Sequence, residues 1–348
     1  MSTVIIDFGS GYIKAGYAEN DQPTYLLETE DLVVSVSYVA VGSNVSQVGR
    51  LKLSGHEDDT SVLWRHILAS LLRVDPAESS VLMLDAPNSD PESRASMAES
   101  LFEEVGVQAM HVMNQAEAAL FSSGRTTGVV VDCGDRVSHI VPIVEGATIP
   151  DAITRIELGG RSIDNYLARL LAMRGMDVSE ADARSIKEEL AYVARDLEQE
   201  IERSQHQEET MYSLANGETI IMADELFRCS EVLFRPGLMN HAIPGIQQAA
   251  VNSIMASDES VRAELFDNIF LSGGTSLLSG LGERMQAEVA AVAPSGATVN
   301  VTTAPDGRYA PWIGGSRLVS SPSFEDRWIS QDEYGQHGDE VVHSKCGS

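Results

Sequence analysis

Lysine is almost missing from this chain: Lys14, Lys52, Lys187 and Lys345 are its only four in 348 residues. Basic charge is therefore carried by arginine, and 52 Asp and Glu against 24 Lys and Arg leave a formal net charge of −28. A surface of that sign repels phosphate backbones and anionic lipid, which disfavours nucleic-acid and membrane-surface binding. It suits a salt-tolerant source or strong colloidal repulsion. Any site for a polyanion must then be built locally, from backbone N–H groups, a stray cation or a bound metal. Cysteine is scarce too. Cys133, Cys229 and Cys346 are odd in number, widely spaced and free of CxxC pairing, which argues against disulfides or a thiolate zinc site and for a reducing compartment. No window reaches the roughly 18 apolar residues that span a bilayer, and residues 1–11 lack a basic stretch followed by a long apolar run. The expectation is a cytoplasmic protein without direct membrane insertion.

What is present is the balance of a globular protein, 43% apolar and 22% charged residues. The length is too great for one compact core and predicts two domains. Val4-Ile5-Ile6-Asp7 is a β-branched run that ends in Asp and a turn, Gly9-Ser10-Gly11, before a second apolar stretch, which predicts a β-hairpin. The design returns at Val129-Val130-Val131-Asp132, Cys133-Gly134-Asp135 and the strand 137–144, so the chain carries an internal repeat. Further strand-like and helix-like segments alternate: Val81–Leu84, a helix from Glu92 to Val105, another from Arg161 to Ala172, and a third from Asp182 to Glu202 with Leu190, Val193, Leu197 and Ile201 on one stripe. A hairpin is expected around Asn216-Gly217, and Ile269–Leu271 runs into Ser272-Gly273-Gly274-Thr275 at the start of a helix. Mixed sheets covered by helices follow from this alternation.

A strand followed by Asp-x-Gly-Ser-Gly is, taken alone, what any hairpin turn requires. Two copies change the balance, because each sets an Asp at a strand end beside small residues whose N–H groups can approach phosphate oxygens, and such a pair can clamp a polyphosphate. Asp7 and Asp132 then face Mg²⁺ through water, since this ion keeps most of its hydration shell. Lys14 reads either as a solvated strand lysine or as a cation for β and γ phosphates. His139, a lone strand histidine, reads as structural or as the group that orients a water. Gly273-Gly274-Thr275 is a common strand-to-helix turn that also suits an adenosine edge, and Lys187-Glu188 by themselves read as a solvated helix face.

At this point the chain resembles the actin family over nearly its whole length. Asp7-Phe8-Gly9-Ser10-Gly11-Tyr12-Ile13-Lys14-Ala15-Gly16 resembles the family's first phosphate loop, and Asn114-Gln115-Ala116 with 123–128 resembles the segment before its second, Asp132–His139. Ala191–Ala194, Phe227-Arg228-Cys229, Leu271–Thr275 and Trp312–Ser316 follow the family's order, and Trp328-Ile329-Ser330, Glu333-Tyr334 and Val342–Cys346 match actins rather than sugar kinases or Hsp70 chaperones.

The resemblance implies two duplicated, ribonuclease H-like α/β domains with a nucleotide cleft between them and four subdomains, the second reduced. Domain I comprises 1–117 and 322–348, with an outer subdomain at about 29–59. Domain II comprises 118–321, with its outer subdomain at about 159–241. By position, Ser10, Gly11, Tyr12 and Lys14 hold the phosphates from one side, and Gly134, Asp135, Arg136 and Val137 from the other. Gly160, Lys187, Glu188, Gly274, Leu277, Leu278 and Arg308 line the adenosine pocket. Asp7 and Asp132 bind hydrated Mg²⁺, with Ca²⁺ as a substitute in vitro, and Gln115 and His139, with Asp132, position the attacking water. ATP and ADP are the implied ligands, and weak ATPase activity coupled to self-association into cytoskeletal filaments, with accessory proteins, is the implied function. A non-polymerising actin-related scaffold subunit is the alternative, and a small-molecule kinase a more distant one.

Departures bear on these expectations. Arg136 stands where actins have glycine, which narrows the backbone there or adds a cation near the phosphates. Phe8 replaces a polar residue, and Asp151 replaces the modified histidine of the eukaryotic proteins. The stretch from Glu28 to Trp64 is shorter than in actin, so longitudinal subunit contacts must differ. A plug-like loop, 234–246, offers Leu238, Met239 and Ile243 as apolar contacts or as a packed surface turn.

Overall fold

The computed structural model describes residues 2–29, 35–40, 51–52, 59–205 and 210–346, with 35–40, 51–52 and 59 as backbone only. Most of the expected reduced subdomain, 29–59, lies outside the described residues. The chain divides into two compact units, one formed by 1–126, 145–150 and 309–348 and the other by 127–144 and 151–308.

In the first unit the strand Ser2–Phe8 pairs antiparallel with Tyr12–Tyr17 and parallel with Ser79–Asp85. Ala109–Asn114 continues the sheet in parallel beyond Ser79–Asp85, and Tyr25–Thr29 extends it in antiparallel sense beyond Tyr12–Tyr17. The central strands read as unbroken apolar runs because both faces are covered. One face carries Val4, Ile6, Leu68 and Leu101, and the other packs Ile5, Leu82 and Leu84 on Trp312. Trp312 is fully buried and its indole N–H donates to the Ile5 carbonyl, which ties the helix Ala310–Val319 to the central strand.

The second unit repeats this order. Gly128–Cys133 pairs antiparallel with Ser138–Val144 and parallel with Ile269–Ser272, Val301–Thr303 follows in parallel, and Thr154–Ile156 extends the other side in antiparallel sense. Five strands in each unit thus share one order and one set of directions. Around the second sheet lie the helices Gly160–Met173, Ile246–Ala256, Glu259–Asp267 and Leu281–Val292, with a single core that includes Val131, Ile163, Leu167, Ile254 and Leu271.

The two glycine-tipped hairpins, the strand over Val81–Leu84 and the hairpin about Asn216-Gly217 are present as expected. So is the helix from Pro91 onward: Asp90 caps it by accepting from the Ser93 N–H at 2.8 Å, and it continues to Val105 with its second half wound as a π-helix. Two expectations are corrected. The helix over 182–202 is two helices, Glu180–Leu190 and Leu197–Ser204. Between them the N–H groups of Tyr192 and Val193 donate to Leu226 and Ser279 carbonyls, so they are lost to the helical ladder, and Asp196 caps the second helix. The helix after Gly273 starts at Leu281, following a 3₁₀ turn over Gly274–Leu277. In the plug-like loop, Met239 and Ile243 pack against the unit's core and Leu238 alone of the three is exposed.

Candidate functional site

The first hairpin is closed by a bond from the Gly9 N–H to the Tyr12 carbonyl at 3.1 Å, and a Cβ on Gly9 would stand 2.8 Å from that carbonyl oxygen. The turn is therefore too tight for any other residue. The carbonyls of Ser10 and Gly11 are held by the Thr29 hydroxyl (2.8 Å) and N–H (3.0 Å). With both carbonyls tied back, the Ser10 and Gly11 N–H groups make no hydrogen bond among the described residues. Two oriented donors without an acceptor suit an anionic oxygen.

Register places Lys14 opposite Asp7. Asp7 is 1% exposed, and its two carboxylate oxygens are served separately: Lys14 Nζ lies 2.9 Å from Oδ2, and Gln115 Nε2 donates to Oδ1 at 2.7 Å. Gln115 opens the helix Gln115–Ser122, which Asn114 caps from the end of its strand, and its amide also donates to the Phe8 carbonyl at 3.1 Å. Asp7 and Lys14, from one hairpin, and Gln115, distant in sequence, are thus one cluster. Phe8 is 40% exposed and packs edge-on against Trp64.

The second hairpin has the same construction. Gly134 N–H donates to the Val137 carbonyl at 3.0 Å, and a Cβ on Gly134 would meet that oxygen at 2.9 Å. The carbonyls of Gly134 and Asp135 accept from the N–H groups of Gly160 (3.0 Å) and Arg161 (2.7 Å), and the Thr275 hydroxyl adds a bond to Gly134 at 2.8 Å. Again the N–H groups left over, those of Asp135 and Val137, have no acceptor among the described residues. The Asp135 carboxylate takes no part in that donor set, because Arg184 (3.0 Å) and Arg161 (3.5 Å) hold it.

Asp132 faces His139 across this hairpin, the place where Asp7 faces Lys14 in the other. The two partners differ in charge. His139 is 6% exposed, and burial first, then Arg155 on the neighbouring strand, push its pKa down to about 4 against the opposing pull of Glu157, so the imidazole is neutral near pH 7. Its Nε2 is buried and has no hydrogen-bond partner among the described residues, which is the state of a group able to hold a water.

The remaining predicted residues fall into two groups in the second unit. Gly160 lies beside Lys187 and Thr275, where a Cβ would come within 3.0 Å of both side chains. Lys187 is itself held by the buried Asp164 at 2.9 Å, whose own pKa is raised by burial in spite of the lysine. Glu188 approaches Arg308 at 3.7 Å, and the Arg308 side chain lies over Gly274. Leu277 is 47% exposed and available as a wall, whereas Leu278 packs against the core. Sequence reasoning missed Asp164, Thr29, Arg161 and Arg184, which hold the site residues in place. Only Arg184, three residues before Lys187 on one helix, left a spacing signal.

Among the described residues no group of three or more His, Cys, Asp or Glu side chains gathers to hold a metal. A hydrated Mg²⁺ does not require such a group, since one or two carboxylates and a substrate's phosphates can hold it.

Two tight hairpins with tied carbonyls thus sit at corresponding places in two sheets of mixed α/β architecture. A family model described as Actin matches residues 1–347, and the chain belongs to the actin family. Its fold is accordingly the actin-like α/β fold. Members of that family are in general ATP-binding proteins that hydrolyse ATP and are found in the cytoskeleton. No helix among the described residues is long and apolar enough to cross a membrane.

Proposed function

We propose that this protein is an actin-like ATPase that binds ATP or ADP with Mg²⁺, hydrolyses ATP slowly and assembles into nucleotide-regulated cytoplasmic filaments. The observation that carries the reading is the shared construction of the two hairpins, each with N–H donors aimed away from tied carbonyls. The matching order of five strands in each unit supports domains that arose by duplication.

In this reading the N–H groups of Ser10, Gly11, Asp135 and Val137 bind phosphate oxygens, with Tyr12, Gly134 and Arg136 completing the loops and Lys14 supplying a cation. Bound Mg²⁺ neutralises phosphate charge, and Asp7 and Asp132 accept from its water shell. Gln115 and His139 orient the attacking water; their work is positioning, with no covalent intermediate. His139 suits this because it is neutral and can accept from water through Nε2. Gly160, Lys187, Glu188, Gly274, Leu277, Leu278 and Arg308 hold the adenosine.

The test is ultracentrifugation of the purified protein with ATP-Mg²⁺, ADP-Mg²⁺ or no nucleotide, with pellets viewed by negative-stain microscopy. Filaments that need ATP support the polymer; protein left in the supernatant under every salt and nucleotide overturns it. The packing of half-buried Met239 and Ile243 against the core favours a second reading, a nucleotide-locked scaffold subunit that does not polymerise, because it leaves less of these two apolar side chains for a subunit contact. A stable one-to-one complex with very slow nucleotide exchange distinguishes it.

A further inference from the structure

Three of the four lysines have described side chains, and each sits on a carboxylate: Lys14 on Asp7 at 2.9 Å, Lys187 on Asp164 at 2.9 Å and Lys345 on Glu333 at 3.0 Å. The last pair is partly exposed on both sides. In the other two the carboxylate lies deeper than the ammonium, 1% exposed for Asp7 and 2% for Asp164 against 13% and 9% for their lysines. A carboxylate set behind an ammonium fixes where the cation stands, and the cation makes the burial of the carboxylate tolerable.

Asp164 lies near the start of the helix Gly160–Met173, and Lys187 is on Glu180–Leu190. One N–H of the ammonium donates to Asp164 Oδ2 at 3.0 Å. An ammonium has three donors, and Asp164 is the only acceptor that this one has among the described residues. Lys187 Nζ stands 3.0 Å from the place that a Cβ on Gly160 would take, as does the Thr275 hydroxyl oxygen. The Gly160 N–H and the Thr275 hydroxyl both donate to the Gly134 carbonyl. Neither of these two ties involves the lysine, so the second hairpin keeps its shape without it. The ammonium fills the space left by a missing side chain beside the hairpin, with donors to spare.

We infer that Asp164 is a positioning residue for nucleoside binding: it fixes the Lys187 ammonium so that the donors left over meet an acceptor atom of the ribose or the base. This rests on the nucleotide reading above, which puts Lys187 with the adenosine. Asp164 is too deeply buried to touch the ligand and acts only through the lysine. Phosphate recognition belongs to the hairpin N–H groups and does not pass through this pair.

The experiment measures binding of ATP-Mg²⁺, ADP-Mg²⁺ and Mg²⁺-pyrophosphate by calorimetry for the wild-type chain, Asp164→Asn, Lys187→Met and the two substitutions together, with thermal melts to check that each is folded. Asp164→Asn keeps the shape of the side chain and removes its charge. ATP and ADP affinity are expected to fall alike, roughly tenfold, as for loss of a charge-assisted hydrogen bond, with pyrophosphate affinity little changed. In the Lys187→Met background Asp164→Asn adds no further loss. Should Asp164→Asn fail to fold because it strands the ammonium, Asp164→Leu with Lys187→Met removes both charges and is expected to show the same loss for ATP and ADP alone. A matching loss for pyrophosphate, an unchanged nucleotide affinity in the folded variant, or a loss from Asp164→Asn that persists on Lys187→Met overturns the inference while leaving the nucleotide reading intact. A wild-type chain that binds neither nucleotide overturns both.

Discussion

Lys14 and Asp7 face each other across the first hairpin with Nζ 2.9 Å from Oδ2, and the amide of Gln115 completes the carboxylate from its other oxygen at 2.7 Å. A carboxylate that is 1% exposed is tolerated because both of its oxygens are served. Removing either partner therefore acts on fold and site together.

Gln115→Ala removes the Asp7 donor and the proposed water-orienting amide. Phosphate release with ATP-Mg²⁺ is expected to slow by roughly ten- to a hundredfold, within the range for loss of a positioning group, with nucleotide affinity little changed and any polymer longer-lived. Hydrolysis at the wild-type rate removes Gln115 from the mechanism.

Gly9→Ala and Gly134→Ala each drive a Cβ into the carbonyl that closes the turn, at 2.8 and 2.9 Å. Each is expected to lower stability by about 1–3 kcal/mol, the usual cost of overpacking, and to weaken nucleotide binding. Gly237→Ala is the control, since a Cβ there meets nothing within 4 Å. Urea denaturation that ranks all three alike contradicts the turn geometry.

His111 and His139 are buried with pKa values lowered to about 4, in both cases by burial first. The unfolded chain takes up their protons near pH 6.5 and the folded chain resists until about pH 4, so their contribution is full above pH 6.5 and lost as pH falls toward 4. Each contributes about 3 kcal/mol over that window at most. The urea midpoint is expected to drop steadily from pH 7 to pH 4.5, and His139→Gln to flatten part of that slope. Imidazole NMR signals of these two residues that titrate near pH 6.5 in the folded protein contradict the assignment.

Arg284 and Glu231 form an ion pair at 2.7 Å that is 3% and 1% exposed, with Arg284 also donating to the Ala194 carbonyl and lying over the Phe234 ring. Arg284→Met strands the glutamate and is expected to cost about 3–5 kcal/mol, whereas Arg284→Met with Glu231→Leu recovers much of it. Chemical denaturation of the two single variants and the double gives the coupling directly; additive losses speak against a shared buried pair.

Local order was written in the sequence wherever a short stretch of residues suffices to decide it. The β-branched runs that end at Asp7 and Asp132, the glycines that close both turns and the Asp90-Pro91 helix start can form in only a few ways, and each has the predicted structure. The family pattern was legible as well, because its motifs occur in order over most of the chain. Tertiary structure decided what depends on segments distant in sequence. The pull of Leu226 and Ser279 on the backbone at 192–193 breaks a helix that periodicity had joined, and the core claims Met239 and Ile243 from a loop that composition left open. It also decided charge: His139 is neutral and Asp7 ionically paired because burial, a long-range property, sets the cost of an unpartnered charge. The sequence alone determined which groups are available to meet a phosphate, and only the folded sheets decided which of their N–H groups remain unspent.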